Sequence, residues 1–110
     1  MFKKQANLAC RQLIEGVQLG TMVHGEKTLM AQFRLEKGSD LPDHSHPHEQ
    51  TGLLISGRII LTIDGVDHEA LPGDSWCIGP DVPHSARAIE DSVAVEVFSP
   101  VREDYLKFSS

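Results

Sequence analysis

Three histidines lie within five residues of one another, His44, His46 and His48, and a fourth, His84, follows much later in the chain. Side chains alternate between the two faces of a β-strand, so the first three would share one face if this segment were a regular strand. Neutral imidazoles that converge on one point are typical ligands of a divalent transition metal. The spacing therefore predicts a metal centre. The alternative is a polar cluster held by hydrogen bonds alone.

A proline interrupts this histidine segment. Pro47 cannot donate a hydrogen bond to a neighbouring strand, and it restricts the backbone of the residue before it. We therefore expect the alternation to be disturbed there. Periodicity alone then leaves open which of four side chains point toward an ion: His44, His46, His48 and Gln50.

The segment resembles the first signature motif of the cupin superfamily, whose members are small β-barrels that hold a metal ion. That motif is a Gly, a His-x-His, a Glu and a second Gly at characteristic spacings. The chain matches it with Gly38, His44, His46 and Gly57, and it has Gln50 in the position of the Glu. The resemblance implies an all-β fold of one domain, a cupin-type barrel of the double-stranded β-helix or jelly-roll kind.

A second cupin motif is matched less completely. Gly73 and His84 stand in its first and last positions, whereas Gly79 replaces an expected Pro and Asp81 an expected Gly. Asp tolerates the left-handed backbone conformation better than most residues, so its replacement of Gly is a mild departure. Together the motifs cover about residues 30–100 of a single domain that we expect to span 1–110.

The resemblance also implies a ligand set. His44, His46, Gln50 and His84 would hold one divalent transition metal ion (Ni, Zn, Fe or Mn), and His48 would lie outside the set. Three neutral imidazoles and an amide oxygen leave the charge of the ion uncompensated. We therefore expect the site to attract an anionic ligand at its open coordination positions.

The run from Glu96 to Leu106 is similar to the C-terminal run of the short cupins of pectin and alginate catabolism, the KdgF type. Members of that group convert 4,5-unsaturated monouronates into linear ketonised sugars. An acidic residue, a Phe and an Arg line their pocket, and the matching positions here are Glu96, Phe98 and Arg102. The group usually has Asp where this chain has Glu96.

The resemblance implies a role for each of these three residues. Arg102 would grip the carboxylate of a small anionic sugar in bidentate fashion. Glu96 would carry the proton that turns the ring-opened enol into a ketone, and Phe98 would supply a flat apolar wall. Without the resemblance, Arg102 beside Glu103 and Asp104 is typical of a solvated charge.

Two other functions remain open. One is a non-catalytic module that binds a metal and a small sugar, which would need no proton shuttle at Glu96. The other is a metal-dependent dioxygenase, a reading that a glutamate ligand would strengthen and that Gln50 weakens.

Composition limits the partners. The formal net charge is −6 at pH 7, and there is no basic stripe to neutralise phosphates, which argues against nucleic acid. No apolar run approaches the ~20 residues that cross a bilayer, so we expect a cytoplasmic protein without a membrane partner. Cys10 and Cys77 are expected to be free thiols. By analogy with cupins, we expect a homodimer.

Short β-rich runs with Gly and Pro turns between them predict the elements that position the site. Residues 27–36 read as a strand with one apolar face, and 64–65 (Asp-Gly) as a two-residue hairpin turn of type I′. Gly57 reads as a bend where a Cβ would not fit. Residues 1–15 are compatible with either a strand arm or a short helical turn.

Overall fold

The computed structural model describes residues 1–109 and is built almost entirely of β-strands. Two short 3₁₀ helices, Gln5–Asn7 and Glu103–Phe108, lie near the two ends. The ten strands in chain order are β1 (Arg11–Ile14), β2 (Val17–His24), β3 (Leu29–Leu35), β4 (Asp40–His44), β5 (Glu49–Ser56), β6 (Ile59–Ile63), β7 (Val66–Ala70), β8 (Ser75–Ile78), β9 (His84–Ala88) and β10 (Ser92–Ser99).

The strands form two antiparallel sheets. The six-stranded sheet has the order β1-β2-β3-β10-β5-β8, and the four-stranded sheet has the order β4-β9-β6-β7. Consecutive strands β3 and β4, β5 and β6, and β8 and β9 lie in different sheets, so the chain crosses between them repeatedly. The sheets enclose one apolar core, which confirms the prediction of an all-β barrel of one domain.

Alternation along the strands decides which side chains enter the barrel. In β3 the expected apolar face is buried, because Leu29, Ala31, Phe33 and Leu35 all point inward. In β10 the buried positions are Ser92, Ala94, Glu96 and Phe98. A glutamate thus occupies the inner face of a central strand.

Gly57 joins β5 to β6, where the chain passes from one sheet to the other. Its φ is +89°, and a Cβ there would lie 2.2 Å from the Ser92 hydroxyl oxygen and 2.3 Å from the Asp91 carbonyl oxygen. The expected bend without room for a Cβ is confirmed. The hairpin turn is confirmed as well, since Asp64 and Gly65 both have positive φ between paired strands β6 and β7.

The first fifteen residues contain both of the structures that their sequence allows, a 3₁₀ turn and then strand β1. Side chains of this region donate hydrogen bonds to backbone carbonyls at the end of the C-terminal 3₁₀ helix. Lys3 Nζ donates to the Ser109 carbonyl at 2.6 Å, and Arg11 donates to that of Lys107. From β2, Thr21 Oγ1 donates to the Tyr105 carbonyl at 2.7 Å.

Cys10 and Cys77 are free thiols, as expected. Within residues 1–109 there is no helix with the length and apolarity needed to cross a lipid bilayer.

Candidate metal centre and adjoining cavity

The histidine segment leaves the sheet where its proline lies. Strand β4 ends at His44 and β5 begins at Glu49, so residues 45–48 do not continue the alternation. As a result His46 and Gln50 are buried, His48 is partly buried and His44 is exposed. The expected disturbance at Pro47 is confirmed. The cluster of potential ligand atoms contains His44, His46 and His84 and not His48, although the ring centroid of His48 lies 5.6 Å from that of His46.

Strand pairing brings His84 to the same point. His84 on β9 pairs in register with His44 on β4, and the two ring centroids are 4.2 Å apart. The centroids of His46 and His84 are 4.9 Å apart. One potential ligand atom from each of the three lies within 4.8 Å of the others, a spacing that one ion can bridge.

Each of the three imidazoles is held by a backbone carbonyl two residues away. The Nδ1 atoms of His44, His46 and His84 lie 2.7, 3.0 and 2.8 Å from the carbonyl oxygens of Pro42, His48 and Val82, respectively. These contacts require Nδ1 to carry the proton, which leaves an unshared electron pair on each Nε2. This is how metal-binding histidines are commonly oriented.

Two buried polar atoms show that the donor set fits an ion. His84 Nε2 is buried and has no hydrogen-bond partner among the described residues. His46 Nε2 lies 3.0 Å from Gln50 Oε1, although both atoms are acceptors once His46 Nδ1 holds its proton. The Gln50 amide also interacts with the Glu96 carboxyl, which favours its nitrogen on that side and its oxygen toward His46. A cation beside these acceptors would satisfy them together.

Burial lowers the pKa of both His46 and His84 below the ordinary value of 6.5, so these imidazoles are neutral at pH 7. Neutral imidazole is the form that binds a metal.

Glu96 lies beside this cluster, on the inner face of β10. In register it pairs with Gly52 of β5, which in turn pairs with Trp76 of β8. Because Gly52 has no side chain, Trp76 Nε1 reaches across it and donates to Glu96 Oε1 at 3.1 Å. Glu96 is only 6% exposed, and burial raises the pKa of its carboxyl to about 7. It can therefore hold or release a proton near neutral pH.

Arg102 lies in the segment between β10 and the C-terminal 3₁₀ helix. Its guanidinium lies 4.0 Å from the ring centroid of Tyr105 and 5.0 Å from that of Phe98. Nε and Nη2 donate to the two carboxylate oxygens of Asp104 at 3.0 and 2.8 Å. The side chain is only 11% exposed, so Arg102 is not the solvated charge that its acidic neighbours suggest.

One cavity joins these groups. Of the residues singled out from the sequence, those that line it are His44, Gln50, His84, Glu96, Phe98 and Arg102. His46 belongs to the histidine cluster but, like His48, is not among the residues that line the cavity. The rest of the wall is largely apolar and includes Phe33, Leu35, Leu41, Ile59, Leu61 and Ala94. The cavity thus brings histidines of the cluster, a buried carboxyl and a guanidinium around one space.

Three residues with roles here were not identified from the sequence. Tyr105 lines the cavity and stacks on Arg102, Asp104 binds Arg102, and Trp76 binds Glu96. Trp76 packs against the core, as large aromatic side chains usually do, and its indole nitrogen also donates to Glu96. Tyr105 and Asp104 fall within the C-terminal run that carries the resemblance, which was the available signal.

Comparison with known proteins agrees with this architecture. A family model described as "Cupin domain" matches residues 31–100. H2HPP isomerase from Bacillus subtilis is 29% identical over 99 residues, which are 88% of this chain. The chain spans only 42% of the length of that relative.

Two further comparisons cover most of both chains. The pectin degradation protein KdgF of Dickeya dadantii is 25% identical over 97 residues, 86% of this chain and 88% of that protein. The solved structure of KdgF from Halomonas sp. superposes with a TM-score of 0.91 at 24% identity, covering 94% of this chain and 96% of that one. At this identity the structural match shows the shared fold.

Proposed function

Because the Cupin domain model covers residues 31–100, this chain belongs to the cupin family, and from that premise we propose that it is a metal-dependent isomerase. Its substrates would be 4,5-unsaturated monouronates released in the breakdown of pectin or alginate. The reaction is ketonisation, in which ring opening gives an enol that tautomerises to a ketone.

The proposed ligands are His44, His46, His84 and Gln50, whose free nitrogen and oxygen acceptors lie together. A divalent ion bound there would supply a Lewis acid that stabilises negative charge on the carboxylate and enol oxygens of the substrate.

Arg102 would hold the carboxylate of the substrate. Asp104 already occupies Nε and Nη2, so a bidentate grip through that edge, expected from the sequence, would require displacing Asp104. Nη1 is buried and has no partner among residues 1–109, and it is the nitrogen left for a ligand. Phe98 forms part of the cavity wall next to the guanidinium and would pack on the sugar.

Glu96 would move the proton. Ring opening leaves a hydroxyl group on C5, which together with the C4=C5 bond forms an enol. Ketonisation then adds one proton at C4 and removes one from the C5 hydroxyl. Glu96 in its protonated form would donate to C4, and the proton released from the oxygen would restore it. No atom is gained or lost overall, so the reaction needs no oxidant or reductant.

One observation carries the proposal. Glu96 is a buried carboxyl that lines the same cavity as the histidine cluster and Arg102. A module that only binds a sugar has no need to bury an acid there, because moving a carboxylate out of water costs free energy even where Trp76 Nε1 donates to it. The names of two relatives, an isomerase and a pectin degradation protein, also support the proposed isomerase function.

The test is turnover of 4,5-unsaturated galacturonate, followed by loss of the absorbance of its conjugated C4=C5 bond. Metal-loaded wild type should accelerate this loss, and Glu96→Gln should lower kcat by about 100-fold or more, the usual contribution of a general acid. Metal content should stay unchanged in that variant. Glu90→Gln is the matched control, since Glu90 is exposed and outside the cavity.

Two outcomes would overturn the proposal. Absence of turnover on this substrate and on its guluronate-derived counterpart would favour the binding module. Turnover that requires oxygen would favour a dioxygenase, so the assay is repeated under anaerobic conditions.

A further inference from the structure

Arg102 is fixed on two sides. Its edge makes two parallel hydrogen bonds to Asp104, a fork-to-fork pairing that restricts a guanidinium in both position and plane. Its face lies against the rings of Tyr105 and Phe98. Nη1 is buried and makes no hydrogen bond among the described residues, and the Tyr105 hydroxyl also interacts with the guanidinium.

The segment that carries this pair is itself anchored. Thr21 Oγ1 donates to the Tyr105 carbonyl, and the Tyr105 amide donates to the Arg102 carbonyl at 2.9 Å. The Tyr105 ring is buried against the core cluster. Asp104, by contrast, has a side chain that is 57% exposed. It faces the solvent side of Arg102 and is not among the residues that line the cavity.

We infer that Asp104 is a positioning residue that turns Arg102 into a preset clamp for one carboxylate, with Nη1 presented to the ligand. This inference rests on the proposed function in so far as it places a carboxylate ligand in the cavity. It adds that an acidic residue outside the cavity is required for anion binding inside it.

The sign of the change in anion affinity caused by Asp104→Asn distinguishes a positioning role from a purely electrostatic one. Asp104 carries a negative charge close to the proposed anion site, so if charge alone mattered, Asp104→Asn would relieve repulsion and tighten anion binding. If Asp104 orients Arg102, the same change frees the guanidinium to adopt other rotamers and weakens binding. The two roles predict opposite signs.

The experiment measures binding of D-galacturonate, a saturated and unreactive uronate, to the metal-loaded protein by calorimetry. D-galactose, which lacks the carboxylate, is the control ligand. We expect Asp104→Asn to raise the Kd for galacturonate by about tenfold, the equivalent of one well-placed charge-assisted hydrogen bond. Glu103→Gln removes a neighbouring exposed acid and should leave the Kd unchanged or slightly lower.

A double variant tests whether the effect passes through Arg102. In the Arg102→Ala background, Asp104→Asn should no longer weaken binding, whereas loss of general stability would weaken it in both backgrounds. The Nε–H resonance of Arg102 in a proton–nitrogen NMR spectrum gives a readout without ligand. It should be protected from exchange in wild type and lose that protection in Asp104→Asn.

Unchanged or tighter galacturonate binding in Asp104→Asn would overturn the inference, and so would a wild type that does not prefer galacturonate to galactose. These results are distinct from failure of the proposed function. A protein that binds galacturonate through the clamp but turns over no unsaturated uronate would keep the inference and lose the isomerase.

Discussion

At the scale of single residues, the histidine cluster depends on which nitrogen each ring turns inward. Backbone carbonyls select the tautomer of His44, His46 and His84, and the free Nε2 atoms are left for a cation. His48 differs, because its carbonyl accepts from His46 while its own ring lies outside the group. In the loop around Pro47, His48 therefore orients the proposed metal ligand His46 through its backbone carbonyl.

This difference predicts metal content. His46→Ala and His84→Ala should each remove most of the bound ion. Loss of a ligand should exceed the ~10–100-fold loss of affinity that follows loss of a group supporting a ligand. His48→Ala keeps the backbone carbonyl and should keep most of the metal. Metal analysis by mass spectrometry after dialysis measures all three variants, and equal losses in His48→Ala and His46→Ala would show that the ligand set is wrong.

Glu96 predicts a pH dependence of stability. Its pKa is about 7 in the folded chain against an ordinary value of 4.5, so the folded state retains the proton to higher pH. Below about pH 4.5 both states hold the proton and the contribution is zero. As the pH rises toward 7 the unfolded chain releases its proton first, and the free energy of unfolding falls. The total fall corresponds to roughly 3 kcal/mol.

Glu96→Gln removes this titration, so the variant should gain stability relative to wild type as the pH rises from about 5 to about 8. Urea unfolding of chelator-treated proteins at several pH values measures the difference, in which the titration of the histidines largely cancels. A difference that does not vary with pH would mean that the carboxyl is not desolvated in the folded protein.

At the scale of elements, the passage from β5 to β6 depends on Gly57. Gly57→Ala would force a left-handed Ala, costing about 1–2 kcal/mol, and would drive a Cβ into Ser92 and the Asp91 backbone, costing about 1–3 kcal/mol more. Gly65→Ala is the matched control, because Gly65 also has positive φ but has open space around it.

We expect Gly57→Ala to be less stable than Gly65→Ala by about 2 kcal/mol, as measured by urea unfolding. Equal stabilities would show that the crossing between sheets can shift to make room for a Cβ.

The sequence predicted those elements whose cause is local. The apolar face of β3, the Asp64-Gly65 turn and the bend at Gly57 follow from alternation and backbone conformation, and all three are confirmed. The contacts of Glu96 and Arg102 could not be predicted in the same way. Trp76 reaches Glu96 only because three strands come into register at Gly52, and such registers depend on the complete sheet.

Two other features could not be predicted from local sequence either: which face of β10 is buried, and the structure of residues 1–15. Alternation along β10 puts Glu96 on the face opposite Val93, Val95 and Val97, but which of the two faces is buried is decided by the facing sheet. The N-terminal segment takes its structure partly from contacts with the C-terminal helix, at the far end of the chain.

At the scale of the whole molecule, the homodimer remains a prediction. The outer face of the six-stranded sheet exposes Leu53 and Ile55 on β5, at 40% and 49%. Light scattering should give about twice the chain mass of 12.1 kDa. Ile55→Lys should shift the protein toward the monomer, because a charge in an apolar interface is costly. Val66→Lys, on the exposed hairpin of the other sheet, is the control.

The carbonyls of Pro42, His48 and Val82 each accept a hydrogen bond from one of the three imidazoles and so fix the orientation of its ring. Filling the site therefore requires little additional ordering of the chain, and the fold should survive an exchange of one ion for another. Imidazole nitrogen suits several divalent ions, so under the proposed ligand set the ion acquired during overexpression should follow the composition of the growth medium. The metal content of a purified sample would then record supply during expression, and identifying the native ion would require cells grown at ordinary metal levels.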